Sequence, residues 1–91
     1  MEFEIVKDLH WGGGRESGNT GYQKLFKMND RYYVASQVDL EDEWETMVFA
    51  ANEHGQVVNW SDLWCRREDK PTDLTKLIGE AVNEYSTDQV D

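Results

Sequence analysis

The sequence predicts an α+β domain, an antiparallel sheet of four to five strands with one C-terminal amphipathic helix packed on a face. Several short segments place apolar residues at every second position, as strands do, and turn residues separate them. One segment near the C-terminus instead spaces its apolar residues by three and four, which is typical of a helix. A chain of 91 residues has room for a single domain covering 1–91.

Three strands are predicted in the first half of the chain. Residues 2–8 alternate apolar and charged side chains, residues 22–28 alternate again, and residues 31–39 are rich in aromatic and β-branched side chains. The Asn29-Asp30 pair suits a turn between the last two. The glycine-rich stretch 12–21 predicts a mobile loop between the first two.

Two more strands are predicted before the helix. Residues 44–51 carry apolar groups on both faces, as expected of a central strand covered on both sides. Residues 52–55 form a tight turn with Gly55 available for a positive φ, and residues 56–60 return as a strand. A turn starts at 61–62, and residues 63–67 form either a last short strand or an irregular segment. Trp44 and Trp60 fall in strand patterns and are predicted to lie in the core.

The helix is predicted over about residues 72–86, with Thr72 as the N-cap and Asp73 favourably placed in the helix dipole. Gly79 lies on its flank, where it would let the helix approach the sheet closely. Residues 87–91 are expected to fray. The apolar stripe comprises Leu74, Leu77, Ile78, Ala81, Val82 and Tyr85.

The net charge of the chain indicates which kinds of partner it can bind. Nineteen Asp and Glu against nine Lys and Arg produce a formal net charge of −10. Such a charge repels nucleic acid and anionic membranes and steers the chain toward basic partners. Four Trp, four Tyr and three Phe argue against a solvating acidic tail. The sequence therefore predicts a folded acidic domain that binds a basic protein, with no direct contact to nucleic acid or membrane.

The acidic residues form two sets that are the first candidate partner-binding site. If the sets lie near each other, their field resembles that of a nucleic-acid backbone and fits a basic groove. The alternative is that they are solvated faces that confer solubility. Trp11 and Trp64 are candidate exposed contacts for the same partner. The first set is Asp39, Glu41, Asp42, Glu43 and Glu45, and the second is Glu80, Glu84 and Asp88 along the helix.

Motifs for catalysis, cofactors and metals are weak. The loop 12–21 contains Arg15 but lacks the GK[ST] end of a P-loop and precedes a strand, so a flexible connector is favoured. Two arginines follow Cys65 and would lower the pKa of its thiol, although a half-buried structural cysteine is favoured. His10, His54 and Cys65 have unrelated spacings, and no EF-hand loop is present. We predict no cofactor, no metal and no enzymatic activity.

Localisation follows from three further observations. A single cysteine excludes an intramolecular disulfide and favours a reducing compartment. Residues 1–4 lack the basic start of a signal peptide, and no apolar run approaches the ~18 residues that a membrane span needs. The sequence predicts a cytoplasmic protein, in the cytoplasm of the host if a virus encodes it.

The middle of the chain resembles an "ETMVF…G-x-V-x-x-W…L" core of small uncharacterised proteins from phages and prophages of Gram-positive bacteria. The resemblance implies a phage origin and a hairpin of residues 44–51 with 56–60. It implies no activity, and the predicted helix departs from the acidic tail usual in that family. The matching residues are the segment 45–49 (ETMVF), the segment 52–57 (NEHGQV), Asn59, Trp60, Leu63, Cys65 and Arg67.

Charge and resemblance together predict a non-enzymatic, phage-type accessory protein that binds and modulates or inhibits a basic host or defence protein. Nucleic-acid mimicry of the anti-CRISPR kind is one such case. The alternative is a structural or self-associating module of unknown function, in which an aromatic edge forms a homodimer and the acidity serves solubility. A third class, a small enzyme or ligand binder, would use the loop 12–21.

Overall fold

The computed structural model describes residues 2–9, 21–70 and 72–89, with the side chains of the last five left aside. It confirms the α+β prediction, a five-stranded antiparallel sheet with one C-terminal helix. No helix in the described ranges combines the length and apolarity needed to cross a bilayer. The elements are β1 (Glu4–Leu9), β2 (Gly21–Met28), β3 (Arg31–Asp39), β4 (Trp44–Ala51), β5 (Val57–Glu68) and α1 (Leu74–Gln89).

The strands follow one another in the sheet in the order of the chain, so that β1 and β5 form its edges. The β2–β3 connection is the predicted two-residue turn, in which Asn29 (φ 54°) and Asp30 (φ 63°) both adopt the left-handed conformation. Asn and Asp tolerate that region better than other residues with a side chain, so the turn forms without glycine. Gly55 has a φ of 85° in the β4–β5 turn, as the sequence predicts.

The helix covers one face of the sheet, which we call the helix face. Apolar residues at alternate positions of the central strands meet the apolar stripe of α1 there, as their periods of two and 3.6 predict. Phe3, Ile5 and Trp64 pack against the rim of this core. Its buried members are Phe26, Met28, Tyr33, Ala35, Val48, Leu74, Ile78, Ala81 and Val82.

The opposite face also buries apolar side chains. Leu25, Val34 and Phe49 are directly paired neighbours on β2, β3 and β4, and at most 6% of each is exposed. The prediction that β4 is covered on both faces is therefore confirmed. The sheet also curls, because Leu9 at the end of β1 reaches Gly55 in the β4–β5 turn, close to the diagonally opposite corner of the sheet.

A bulge interrupts β5 where the sequence predicted a turn. Val48 pairs with Trp64 and Ala50 pairs with Asn59, so residues 60–63 stand opposite Phe49 alone. The Asn59 side chain accepts a hydrogen bond from the amide of Ser61 and shapes the bulge. The bulge turns Trp60 outward: its ring touches Phe49 edge-on but is 73% exposed, so the prediction that it lies in the core is wrong.

The N-cap of the helix lies one residue later than predicted. The Asp73 carboxylate accepts the amide of Thr75, so Asp73, rather than Thr72, is the N-cap. Thr72 has a different role, since its carbonyl accepts a hydrogen bond of 2.9 Å from the buried side chain of Gln37 on β3. At the other end, α1 continues to Gln89, three residues beyond the predicted end, through positions that were expected to fray.

We expect Gly79→Ala to raise the free energy of unfolding by about 0.5–1 kcal/mol, because alanine loses less backbone entropy in a helix than glycine. An added Cβ would lie 3.6 Å from the Phe3 ring, an ordinary van der Waals contact. Urea denaturation followed by circular dichroism measures the change. Gly55→Ala is the control and should destabilise, because φ is +85° there and the new Cβ would lie 2.9 Å from Leu9. A destabilised Gly79→Ala would mean that Phe3 cannot adjust.

Candidate functional site

The β3–β4 connection and the end of β5 lie at the same end of the sheet. Trp44, the first residue of β4, pairs with Asp39 on one side and with Glu68 on the other. This pairing brings Glu68, the last residue of β5, and Asp69, which follows it, beside the carboxylates of the connection. We call this region the acidic end, and its residues are Asp39, Glu41, Asp42, Glu43, Glu68 and Asp69.

Hydrogen bonds hold the connection itself in a tight conformation. The amide of Leu40 donates to the carbonyl of Glu43, and the amide of Asp42 donates to the carbonyl of Leu40. The Asp39 carboxylate accepts the amide of Glu41, whose φ of 77° is unusual for a residue with a side chain. Glu41 and Asp42 are exposed. The connection therefore presents its carboxylates to solvent from a defined backbone.

Arg67 compensates part of this charge. Its guanidinium donates to Glu45 at 2.8 Å and lies 3.5 Å from a carboxylate oxygen of Glu43. The hydrogen bond from Arg67 to Glu45 and the two negative charges raise the pKa of Arg67 further above its usual range. Glu43 and Glu45 are thus partly neutralised, whereas Asp39, Glu41 and Asp42 form no ion pair with the described Lys and Arg side chains.

The helix carboxylates lie elsewhere and are compensated by Arg66. Its two terminal nitrogens each lie 3.0 Å from a carboxylate oxygen, one of Glu80 and one of Glu84. The Trp64 indole also donates to Glu84, and the Arg66 guanidinium lies 5.0 Å from the centre of the Trp64 ring. This cluster fastens α1 to β5 on the helix face. Partner binding by Glu80 and Glu84 stays a prediction, and it would compete with this role.

The first predicted acidic set is divided between the two faces of the sheet, whereas Glu80 and Glu84 of the second set lie on the helix face. Successive residues of a strand point to opposite sides, so Arg66 turns toward α1 and Arg67 turns toward Glu45. Glu45 shares the side of Arg67, whereas Glu80 and Glu84 share the side of Arg66. Asp39, which pairs with Trp44, lies on the side of Arg66 as well, and Asp88 belongs to the helix end whose side chains are left aside.

The burial of the tryptophans differs from the prediction. Trp64, a candidate exposed contact, is half-buried against the core, and its indole is engaged by Glu84. Trp44, predicted in the core, is half-buried at the acidic end. There its ring is nearly parallel to that of Tyr22, with centroids 6.2 Å apart and an angle of 15° between the planes. Trp11 lies outside the described residues.

The geometry gives Cys65 no activation. Cys65 is exposed, so the prediction of a half-buried cysteine is wrong. The partial burial of its thiol and the charge of Glu45 nevertheless raise its pKa above the usual range, and the opposing effect of Arg67 is smaller. Arg67 thus acts in the predicted direction, but the predicted net lowering of this pKa is wrong, because burial and the charge of Glu45 outweigh Arg67. Among the described residues, no group of three or more His, Cys, Asp and Glu side chains could hold a metal ion.

A cleft of about 450 Å³ lies between the end of β1, the start of β2 and the start of α1. Two of its charged side chains, Asp8 and Lys24, form an ion pair with each other. Its inner wall includes Gln37, whose side-chain amide is bonded to the carbonyl of Thr72. Of the predicted loop 12–21 beside it, only Gly21 belongs to the described residues, as the first residue of β2.

Sequence reasoning missed the contribution of Tyr22, Glu68 and Asp69 to the acidic end. Tyr22 shares the helix face with Phe26, as the alternation of residues 22–28 predicts, but it is 60% exposed. Glu68 comes one residue after the predicted strand 63–67. Placing it beside Trp44 requires the pairing register between β4 and β5. That register depends on the length of the bulge at 60–63, which the sequence pattern does not reveal.

Comparison of the chain with protein-family models, with curated proteins and with solved structures found no match.

Proposed function

We propose that this chain is a non-enzymatic acidic protein whose acidic end binds a basic protein and modulates or inhibits it. One observation carries the proposal: the fold gathers carboxylates from two separate chain segments at one end of the sheet. The arginines that precede Glu68 are already engaged, Arg67 by Glu43 and Glu45 and Arg66 by Glu80 and Glu84.

Electrostatics supports a protein partner with a basic surface. A cluster of exposed carboxylates on a chain of net charge −10 accelerates encounter with a cationic surface and repels phosphates. A basic surface that normally holds nucleic acid presents this charge pattern, so occupation by the acidic end would block it. The phage resemblance of the central hairpin is in keeping with a host or defence protein as the target, met in the host cytoplasm.

The triple variant Glu41→Gln, Asp42→Asn, Glu43→Gln tests the proposal. We expect it to weaken binding of the basic partner by about tenfold or more, since three charges leave the acidic end. Its thermal midpoint should stay the same or rise, because like charges no longer repel. The measurement is affinity capture from a lysate of a Gram-positive host at about 0.1 M and 0.5 M salt, followed by titration of the captured protein.

A matched variant separates position from net charge. Glu2→Gln, Asp30→Asn, Glu53→Gln removes the same number of charges from the opposite end of the sheet, where the β2–β3 and β4–β5 turns lie. It should bind as the wild type does. Equal binding by all three proteins, or equal weakening by both variants, would contradict a specific role of the acidic end.

Self-association is the second candidate function, and the bulge in β5 favours it. Val58, Trp60 and Leu63 are 64%, 73% and 40% exposed, and Trp is among the residues that most often dominate protein interfaces. Light scattering distinguishes the two functions. A dimer that strengthens as salt screens the repulsion between two acidic chains would favour self-association. Binding of a basic protein weakens under the same change.

A further inference from the structure

We propose that Tyr22 and Trp44, flanked by Asp39 and Glu68, form a binding site for an arginine side chain of the partner. This inference rests on the proposed function, because it assigns the contact through which the acidic end recognises a basic protein. The site differs from the exposed carboxylates of the connection, since it combines aromatic rings with carboxylates at fixed positions of four adjacent strands, β2 to β5.

The sheet register places these side chains on one face. Asp39, Trp44 and Glu68 are directly paired across β3, β4 and β5, so their side chains point to the same side. Tyr22 pairs with Gln37, which lies two residues before Asp39 and therefore shares its face. Tyr22 lies on β2 and Trp44 on β4, and their rings meet above β3, the strand between them.

The arrangement puts a carboxylate on each side of the indole. Directly paired residues have Cβ atoms roughly 4.5–5.5 Å apart, so both carboxylates are within reach of a cation held on the rings. Asp39 and Glu68 are half-buried, and among the described residues neither forms an ion pair with Lys, Arg or His. The site therefore offers negative charge and aromatic surface together, without a cation of its own in the described chain.

A guanidinium group fits this chemistry better than an ammonium group. Its planar face stacks on an aromatic ring while its edge donates hydrogen bonds to carboxylates. Tyr22 is 60% exposed and leaves ring surface open to such a group. The same structure contains one example of the contact, since Arg66 lies 5.0 Å from the ring centre of Trp64 while it binds Glu80 and Glu84.

The test titrates the whole chain with two capped peptides, Gly-Arg-Gly-Arg-Gly and Gly-Lys-Gly-Lys-Gly, at about 0.05 M salt. Indole and backbone NMR signals report the contact at Trp44. We expect the arginine peptide to bind more tightly than the lysine peptide. Tyr22→Leu should weaken the arginine peptide about fivefold, corresponding to about 1 kcal/mol, and reduce its preference over lysine. Asp39→Asn combined with Glu68→Gln should weaken both peptides.

Tyr32→Leu is the matched control, because it removes a tyrosine ring from the other face and the opposite end of the sheet without changing charge. It should leave both affinities unchanged. Unchanged arginine binding in Tyr22→Leu, or equal affinities of the two peptides for the wild type, would overturn the arginine site. The proposed function fails on a different result, normal partner capture by the triple variant of the β3–β4 connection, so the two failures are distinguishable.

Discussion

Phe26→Ala should lower the free energy of unfolding by about 3–5 kcal/mol, the loss typical of a large aromatic ring removed from a core. Phe26 is 2% exposed at the centre of the helix face. Its ring stacks on Tyr33 with centroids 5.4 Å apart and meets Phe3 edge-on at 6.2 Å. A domain of this size has about 5–15 kcal/mol in total, so a large part of the stability would be lost.

Urea denaturation at 25 °C, followed by far-ultraviolet circular dichroism, measures this loss. Tyr22→Ala is the control, since Tyr22 lies on the same strand and the same face but is 60% exposed. It should cost no more than about 1 kcal/mol, because little buried surface is lost. A similar cost for both variants would show that the helix face is not packed around Phe26.

Gln37→Leu should cost about 1–3 kcal/mol although its volume hardly changes, because it leaves the Thr72 carbonyl without its donor. Gln37 is 2% exposed and donates to that carbonyl at 2.9 Å. The bond joins β3 to the residue that precedes the N-cap of α1, so its loss should also loosen the start of the helix. Hydrogen exchange of the first α1 amides reports that effect beside the denaturation midpoint.

Thr46→Val is the matched control for this hydrogen bond. Thr46 is equally buried, and its hydroxyl lies 3.5 Å from the same Gln37 nitrogen, at the limit for a hydrogen bond. We expect a cost below about 1 kcal/mol and no change in the exchange of α1 amides. If Gln37→Leu were as stable as Thr46→Val, the Thr72 carbonyl would be satisfied by water instead.

Most of the fold could be predicted because its signals are local. Alternation in β2 to β4, the Asn29-Asp30 and Gly55 turns and the apolar stripe of α1 each depend on residues close in the chain. The errors arose where a distant contact decided the outcome. Trp60 has a strand pattern but is turned out by a bulge whose length depends on the pairing with β4. The cap moved to Asp73 while Gln37 took the Thr72 carbonyl.

The candidate site could be predicted in part. The carboxylates of the β3–β4 connection are visible as a run in the sequence, and the structure gives them a compact, exposed backbone. The sequence did not reveal which arginine neutralises which carboxylate. Arg66 and Arg67 are neighbours in the chain, yet they bind carboxylates on opposite faces of β5, and only the positions of α1 and β4 determine which ones.

The sequence by itself determined the element types, most turns and the acidic character, because periodicity, turn chemistry and net charge are properties of the chain. The tertiary structure alone decided which charges stay uncompensated and that Asp39, Trp44 and Glu68 form one row. Such a row depends on the register between strands, which the packing of whole faces selects. A shift of one residue would send each of these side chains to the other face.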